Sequence, residues 1–141
     1  MRMRHGLAIA LLLAGCSSDP NGPDNGVLVG RFGNADQHAE LVALHAAAEL
    51  QLVCGSYFAF SGAVRLAGDL SFREAGKYYP STFGIPAGPV DAVAVVNYDT
   101  STGTVHMHLE MEGDDPFPWE LHSGESGELD KVVCALSVQH R

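Results

Sequence analysis

Alternation with a period of two dominates the chain from residue 90 onward. Thr104 to Glu112 places Val105, Met107, Leu109 and Met111 on one face and Thr104, His106, His108, Glu110 and Glu112 on the other, the pattern of a strand buried on one side. Phe117, Trp119 and Leu121 alternate with Pro118, Glu120 and His122 in the next run, and Asp114, Asp115 and Pro116 between the two supply a turn. Val90 to Tyr98 is a third predicted strand, joined to the Thr104 run by Asp99 to Gly103. Val64 to Phe72, centred on Ala67, Gly68 and Asp69, reads as a shorter hairpin. Gly76 to Gly88, with Tyr78, Tyr79, Pro80, Phe83 and Pro86, reads as a long loop over one mouth of the strand assembly, its aromatics serving local packing.

Asn34 to Val53 admits two patterns. The stretch from Asp36 to Leu50 is rich in helix formers, and Asn34 is placed to cap a helix of three or four turns. The same residues alternate as Ala39, Leu41 and Ala43 against Glu40, Val42 and Leu44, and as Ala48, Leu50, Leu52 and Cys54 against Glu49, Gln51 and Val53. With a break at His45, Ala46 and Ala47 this second pattern is a hairpin.

The start of the chain follows a different rule. Met1 to His5 is short and basic, Leu7 to Leu13 is an apolar run too short for a permanent membrane span, and Ala14 and Gly15 are small. This is the layout of an export signal. Leu13, Ala14, Gly15 and Cys16 resemble the lipobox of bacterial lipoproteins. The resemblance implies transfer of a diacylglyceryl group to the Cys16 thiol, cleavage after Gly15, and acylation of the new terminus, with palmitate-like chains. Two or three such chains, at about 0.8 kcal/mol per buried methylene, make a stable membrane anchor where one does not. Ser17 after the lipidated cysteine points, by analogy with enteric lipoproteins, to the outer rather than the inner membrane. Ser17 to Gly26 carries no large apolar side chain and reads as a tether. The expected organisation is therefore residues 1–15 signal, 16–26 lipidated cysteine and tether, and 27–141 one β domain.

Charge and cysteine count agree with an exported chain. The formal net charge is −9, and loss of Arg2 and Arg4 with the signal makes it −11. Such a surface excludes a nucleic-acid binder, which needs clustered Lys and Arg to displace counterions. With Cys16 lipidated, only Cys54 and Cys134 remain, an even number for an oxidising compartment, so a disulfide is expected, with two buried thiols as the alternative.

Gly30 to Gly33, His38 to Leu41, Ala48 to Cys54 and Val64 to Phe72 together resemble a group of small exported bacterial lipoproteins of uncharacterised role. The group runs as an aromatic-glycine start, a strand pair ending in a cysteine, a short hairpin, and alternating strands up to a late cysteine. The resemblance covers residues 28 to 136 and implies the hairpin reading of Asn34 to Val53. Phe32 stands where Trp is common in that group, and Ala46 and Ala47 replace its glycine-bearing turn. The fold expected is all-β: one antiparallel meander of about eight short strands, closed or nearly closed into a small barrel. Cys54 on an early strand and Cys134 on the last would then tie the sheet's two ends together.

One constellation suggests chemistry. Pairing Leu109 with Trp119 sets His108 opposite Glu120 and His106 opposite His122, so that His106, His108, His122 and Glu120 share a patch with ring spacings compatible with Zn²⁺, Ni²⁺ or Cu²⁺. The plain alternative is a solvated outer sheet face. No nucleophile elbow surrounds Ser56, Ser61 or Ser81, and no phosphate-cradling glycine loop precedes a helix, so no catalytic residue is expected. Three functions stay open: a tethered, monomeric β-module binding a small ligand or an envelope partner, a metal binder, and a coat protein without a ligand.

Overall fold

The computed structural model describes residues 21–82, 85–132 and 134. The export segment, Cys16, the first residues of the tether and Phe83 lie outside the described residues. The strands are β1 (Gly22–Asp24), β2 (Val27–Asn34), β3 (Ala39–Ala43), β4 (Ala48–Gln51), β5 (Tyr57–Ala59), β6 (Ser71–Tyr79), β7 (Ser81–Thr82), β8 (Ile85–Pro86), β9 (Val90–Asp99), β10 (Thr104–Glu110) and β11 (Trp119–Ser123). Single 3₁₀ turns lie at Val53–Gly55 and Leu129–Lys131. Every strand pair is antiparallel.

Eight strands follow one another around the sheet as β2, β3, β4, β5, β6, β9, β10 and β11, and β11 pairs back onto β2. The meander is thus a closed barrel, which leaves those strands no free edge. β7 and β8 form a small separate hairpin between β6 and β9. The region read either as helix or as hairpin is the hairpin β3–β4, turning at His45 and Ala46 with Leu44 N–H donating to the Ala47 carbonyl at 2.7 Å.

Alternation decides which side chains enter. Leu28 and Phe32 on β2, Leu41 on β3, Leu50 on β4, Phe58 on β5, Val96 on β9, Val105 and Met107 on β10 and Leu121 on β11 are all essentially inaccessible to solvent. They meet as one core. Eight strands enclose a space that side chains fill, and here they fill it. One end is closed by the β5–β6 connection, where Phe60, Val64 and Leu66 are buried.

Four expectations change. The run Val64 to Phe72 is not a self-paired hairpin: Arg65 bridges Val27, Leu28 N–H donates to Val64 O at 2.9 Å, and Leu66 N–H to Gly26 O at 2.7 Å. The first turn of β2 projects past β3 and needs this partner, and a tight turn at Ala67 to Leu70 then starts β6. The predicted loop at Gly76 is strand as far as Tyr79, because Gly76 faces Phe58 so closely that a Cβ there would stand 2.6 Å from the ring's Cζ. A bare backbone is what lets the ring lie flat on the sheet. The tether ends sooner than residue 26, since β1 pairs with β2 through the two-residue turn Asn25–Gly26, with φ of 51° and 81°, the left-handed pair that such a hairpin demands.

The fourth change concerns the disulfide, which joins Cys54 to Cys134 with Cα atoms 5.5 Å apart. Neither cysteine is on a strand. Cys54 sits in the 3₁₀ turn after β4, and Cys134 lies beyond the end of β11. Closure of the sheet is the work of backbone pairing between β2 and β11, and the disulfide fastens a strap whose described residues are 124–132 and 134. That strap crosses the outside of β2 and β3: Gly127 N–H donates to Glu40 Oε1 at 2.8 Å, and Glu40 also pairs with Arg31 at 3.1 Å. Glu40 points outward by parity yet is buried, because the strap covers it.

Candidate functional site

The outward face of β9, β10 and β11 gathers the polar residues that alternation assigned to it. Its register differs from the expected one. Met107, not Leu109, faces Trp119, so His106 faces Glu120 and Thr104 faces His122. Alternation leaves this undecided, since a slip of two residues keeps every side chain on its face. The register is set instead at the start of β11, where Pro116 and Pro118 offer no N–H. There Gln37 substitutes for a strand neighbour, donating from Nε2 to Pro118 O at 3.1 Å and accepting Glu120 N–H at 2.8 Å.

The four expected metal ligands do not converge. His108 lies opposite Val95 and its Nε2 is 3.3 Å from Glu110 Oε2, while Glu110 Oε1 takes Arg73 at 2.5 Å. His122 Nε2 stands 3.5 Å from Glu120 Oε1. Among the described residues no three His, Cys, Asp or Glu side chains are grouped to hold a metal ion. The metal patch expected from His106, His108, His122 and Glu120 is therefore corrected to two His–carboxylate contacts, His108 with Glu110 and His122 with Glu120, with His106 in neither.

What the register does assemble is two cross-strand rows. Asn97, His106 and Glu120 stand side by side across β9, β10 and β11, and Asp99, Thr104 and His122 form the next row. Two clefts follow these rows. One of about 260 Å³ is lined by Asn97, His106, Pro118, Trp119 and Glu120 among others, and one of about 340 Å³ by Asp99, Thr102, Thr104, His106, Glu120 and His122. They share His106 and Glu120. Trp119 is half-buried, packs on the core, and rests against Phe117 with ring centres 5.5 Å apart. Asp99 is held below the ordinary carboxylate range, chiefly by the Ser101 hydroxyl and N–H donating to it, with the nearby His106 adding to the effect. Thr104 is buried, its hydroxyl bonded to that of Thr102 at 2.9 Å.

Sequence reasoning missed a larger cleft, of about 510 Å³, beside the disulfide. Glu49, Gln51, Ser56, Tyr57, Leu129 and Asp130 contribute to its walls. The backbone there takes left-handed φ at Cys54 (58°) and Gly55 (84°), and Ser56 ties the turn to β7 by accepting Ser81 N–H at 2.9 Å. Tyr57 stacks on Tyr79 with ring centres 4.7 Å apart. The Cys–Gly pair in the turn after a strand was the available signal, but Leu129, Asp130 and Cys134 of the wall come from the strap, whose path no local pattern reveals.

The serines are engaged in structure. Ser56 bridges to Ser81, and Ser61 donates to Glu74 at 2.5 Å. No helix among the described residues is long and apolar enough to cross a membrane. Comparison of the chain with protein-family models, with curated proteins and with solved structures finds no match.

Proposed function

We propose that this chain is a lipid-anchored protein of the bacterial cell envelope, held at the outer membrane through Cys16, whose barrel is a non-enzymatic, monomeric binding module that works through its outer surface. One observation carries the choice of surface: the barrel interior is occupied by Phe32, Phe58, Leu28, Leu41, Leu50 and Met107, so a small apolar ligand has no room where larger barrels hold one. Binding then falls to the polar clefts outside. The anchoring rests on the lipobox-like Leu13 to Cys16 behind a basic and apolar prefix.

Metabolic labelling with palmitate and detergent phase partitioning test the anchor. The parent chain takes up label and enters the detergent phase, whereas Cys16→Ser does neither, because an acidic domain without acyl chains has no attraction for an anionic lipid surface. Equal partitioning of parent and variant rejects the proposal.

A further inference from the structure

We propose that the barrel sits end-on against a zwitterionic phospholipid surface, the end that carries Ile85, Val90 and Phe117 facing the headgroups, an inference that rests on the proposed anchoring through Cys16. Four large apolar side chains are exposed among the described residues: Leu44, Ile85, Val90 and Phe117. Strand pairing sorts them. Val90, at the start of β9, stands opposite Tyr78 near the end of β6, and Val93 opposite Glu110, the last residue of β10. Ile85 lies in the connection that enters this end of β9, and Phe117 in the connection that leaves β10 for β11. Three of the four therefore share one end of the barrel, and Leu44, in the β3–β4 turn, stands at the other. Phe117 is backed by Trp119, with ring centres 5.5 Å apart, and aromatic rings settle at the boundary between headgroups and acyl chains.

The course of the chain toward Cys16 selects this end. β1 runs antiparallel to β2, so Gly22 lies beside Val29 and Asn21 beside Arg31, whose N–H donates to Asn21 Oδ1 at 2.9 Å. The chain therefore meets the barrel from the side on which β2 ends. Arg31 is three residues from Asn34, roughly 10 Å along a strand. Asn34 and Gln37 bond in turn to the carbonyls of Glu120 and Pro118, at the foot of the Phe117 connection. Five residues of chain join Asn21 to Cys16, a reach of at most roughly 17 Å. The ten residues of β9 alone span roughly 33 Å, so a barrel on this tether cannot stand clear of the surface, and the direction of entry turns the Phe117 end toward it. Charge selects the lipid. Glu112, Asp114 and Asp115 are exposed in the same connection as Phe117, while Asp91, beside Val90, is paired with Lys77. Three carboxylates next to the apolar contacts are repelled by an anionic surface and tolerated by a zwitterionic one.

The full-length lipidated chain carrying Ile85→Cys or Leu44→Cys, both at exposed positions, is labelled at the new thiol with an environment-sensitive fluorophore. It is then reconstituted into phosphatidylcholine vesicles with brominated acyl chains. The probe at Ile85 is quenched relative to unbrominated vesicles, and the probe at Leu44 is not. Phe117→Ser with Val90→Ser reduces the quenching at Ile85 by roughly 3-fold or more, and brominated phosphatidylglycerol vesicles give less quenching than phosphatidylcholine. No quenching at Ile85, or equal quenching at both positions, in a chain that takes up palmitate overturns the end-on seat and leaves the anchor standing. A chain that takes up no palmitate loses anchor and seat together. Full-length Cys16→Ser that sediments as a dimer, and as a monomer once Phe117→Ser is added, overturns the seat in favour of a second copy of the chain.

Discussion

Gly33 has no room for a methyl group, since a Cβ there would stand 2.3 Å from the backbone oxygen of Glu125. Backbone cannot swing aside as a side-chain tip can, so Gly33→Ala must lift the strap from β2 and is expected to cost about 1–3 kcal/mol. Gly62 has nothing within 4 Å of its position, and Gly62→Ala should be neutral or add a few tenths of a kcal/mol through loss of chain entropy in the unfolded state. Urea denaturation of the two variants checks the contrast. A second residue-scale prediction concerns acid. Glu110 is held below its ordinary 4.5, first by the bond from Arg73 and then by that from His108. A depressed carboxylate stabilises the fold above its unfolded value and loses that contribution as pH falls through its folded value. The thermal midpoint should therefore drop between about pH 5 and about pH 2, with a shallower drop in Glu110→Gln.

At the scale of elements, the strap is the least independent part of the fold. Among the described residues it joins no strand ladder, and its course is fixed by the Gly124 N–H donating to Arg31 O at 2.8 Å, by Glu40, by the close approach of Gly33 and Gly127, and by the disulfide. The two cysteines are 80 residues apart, and closing a loop of that length constrains the unfolded chain enough that Cys54→Ala with Cys134→Ala should cost about 2–5 kcal/mol. Hydrogen exchange at the Gly127 amide should accelerate more than exchange in β9 or β10. If both regions speed up equally, the strap and barrel unfold as one unit. Alternation made β9 and β10 legible because each buries one face only, whereas Asn34 to Val53 fitted helix and hairpin alike and only the resemblance pointed to the β3–β4 hairpin. β1 escaped notice although Asn25 and Gly26 are the strongest short hairpin signal there is. Its residues, Gly22, Pro23 and Asp24, carry no large apolar side chain, and a strand that buries neither face leaves no hydrophobic trace. The strap was equally hidden, being held by contacts between residues distant in the chain and by no alternating pattern of its own.

For the whole molecule, closure of the barrel was readable because an eight-strand meander with one apolar face per strand has few other ways to bury it. The register of β10 on β11 was not, and that slip of two residues is the difference between a convergent histidine set and the rows that run through His106. Face parity is a property of each strand alone, whereas register belongs to the connection between strands, here set by Pro116, Pro118 and the amide of Gln37. The same distinction governs how the molecule carries force. Any tension in the chain ahead of Gly22 enters through β1, which is antiparallel to β2 across the Asn25–Gly26 turn. Such a load unzips β1 one bond at a time instead of shearing it. Release of Gly22 to Gly26 pays out roughly 17 Å of chain before tension reaches Val27, where the bridge to Arg65 and the pairing with Val64 begin. β1 is thus a short slack reel, able to absorb movement between the proposed anchor and the barrel without opening the barrel itself.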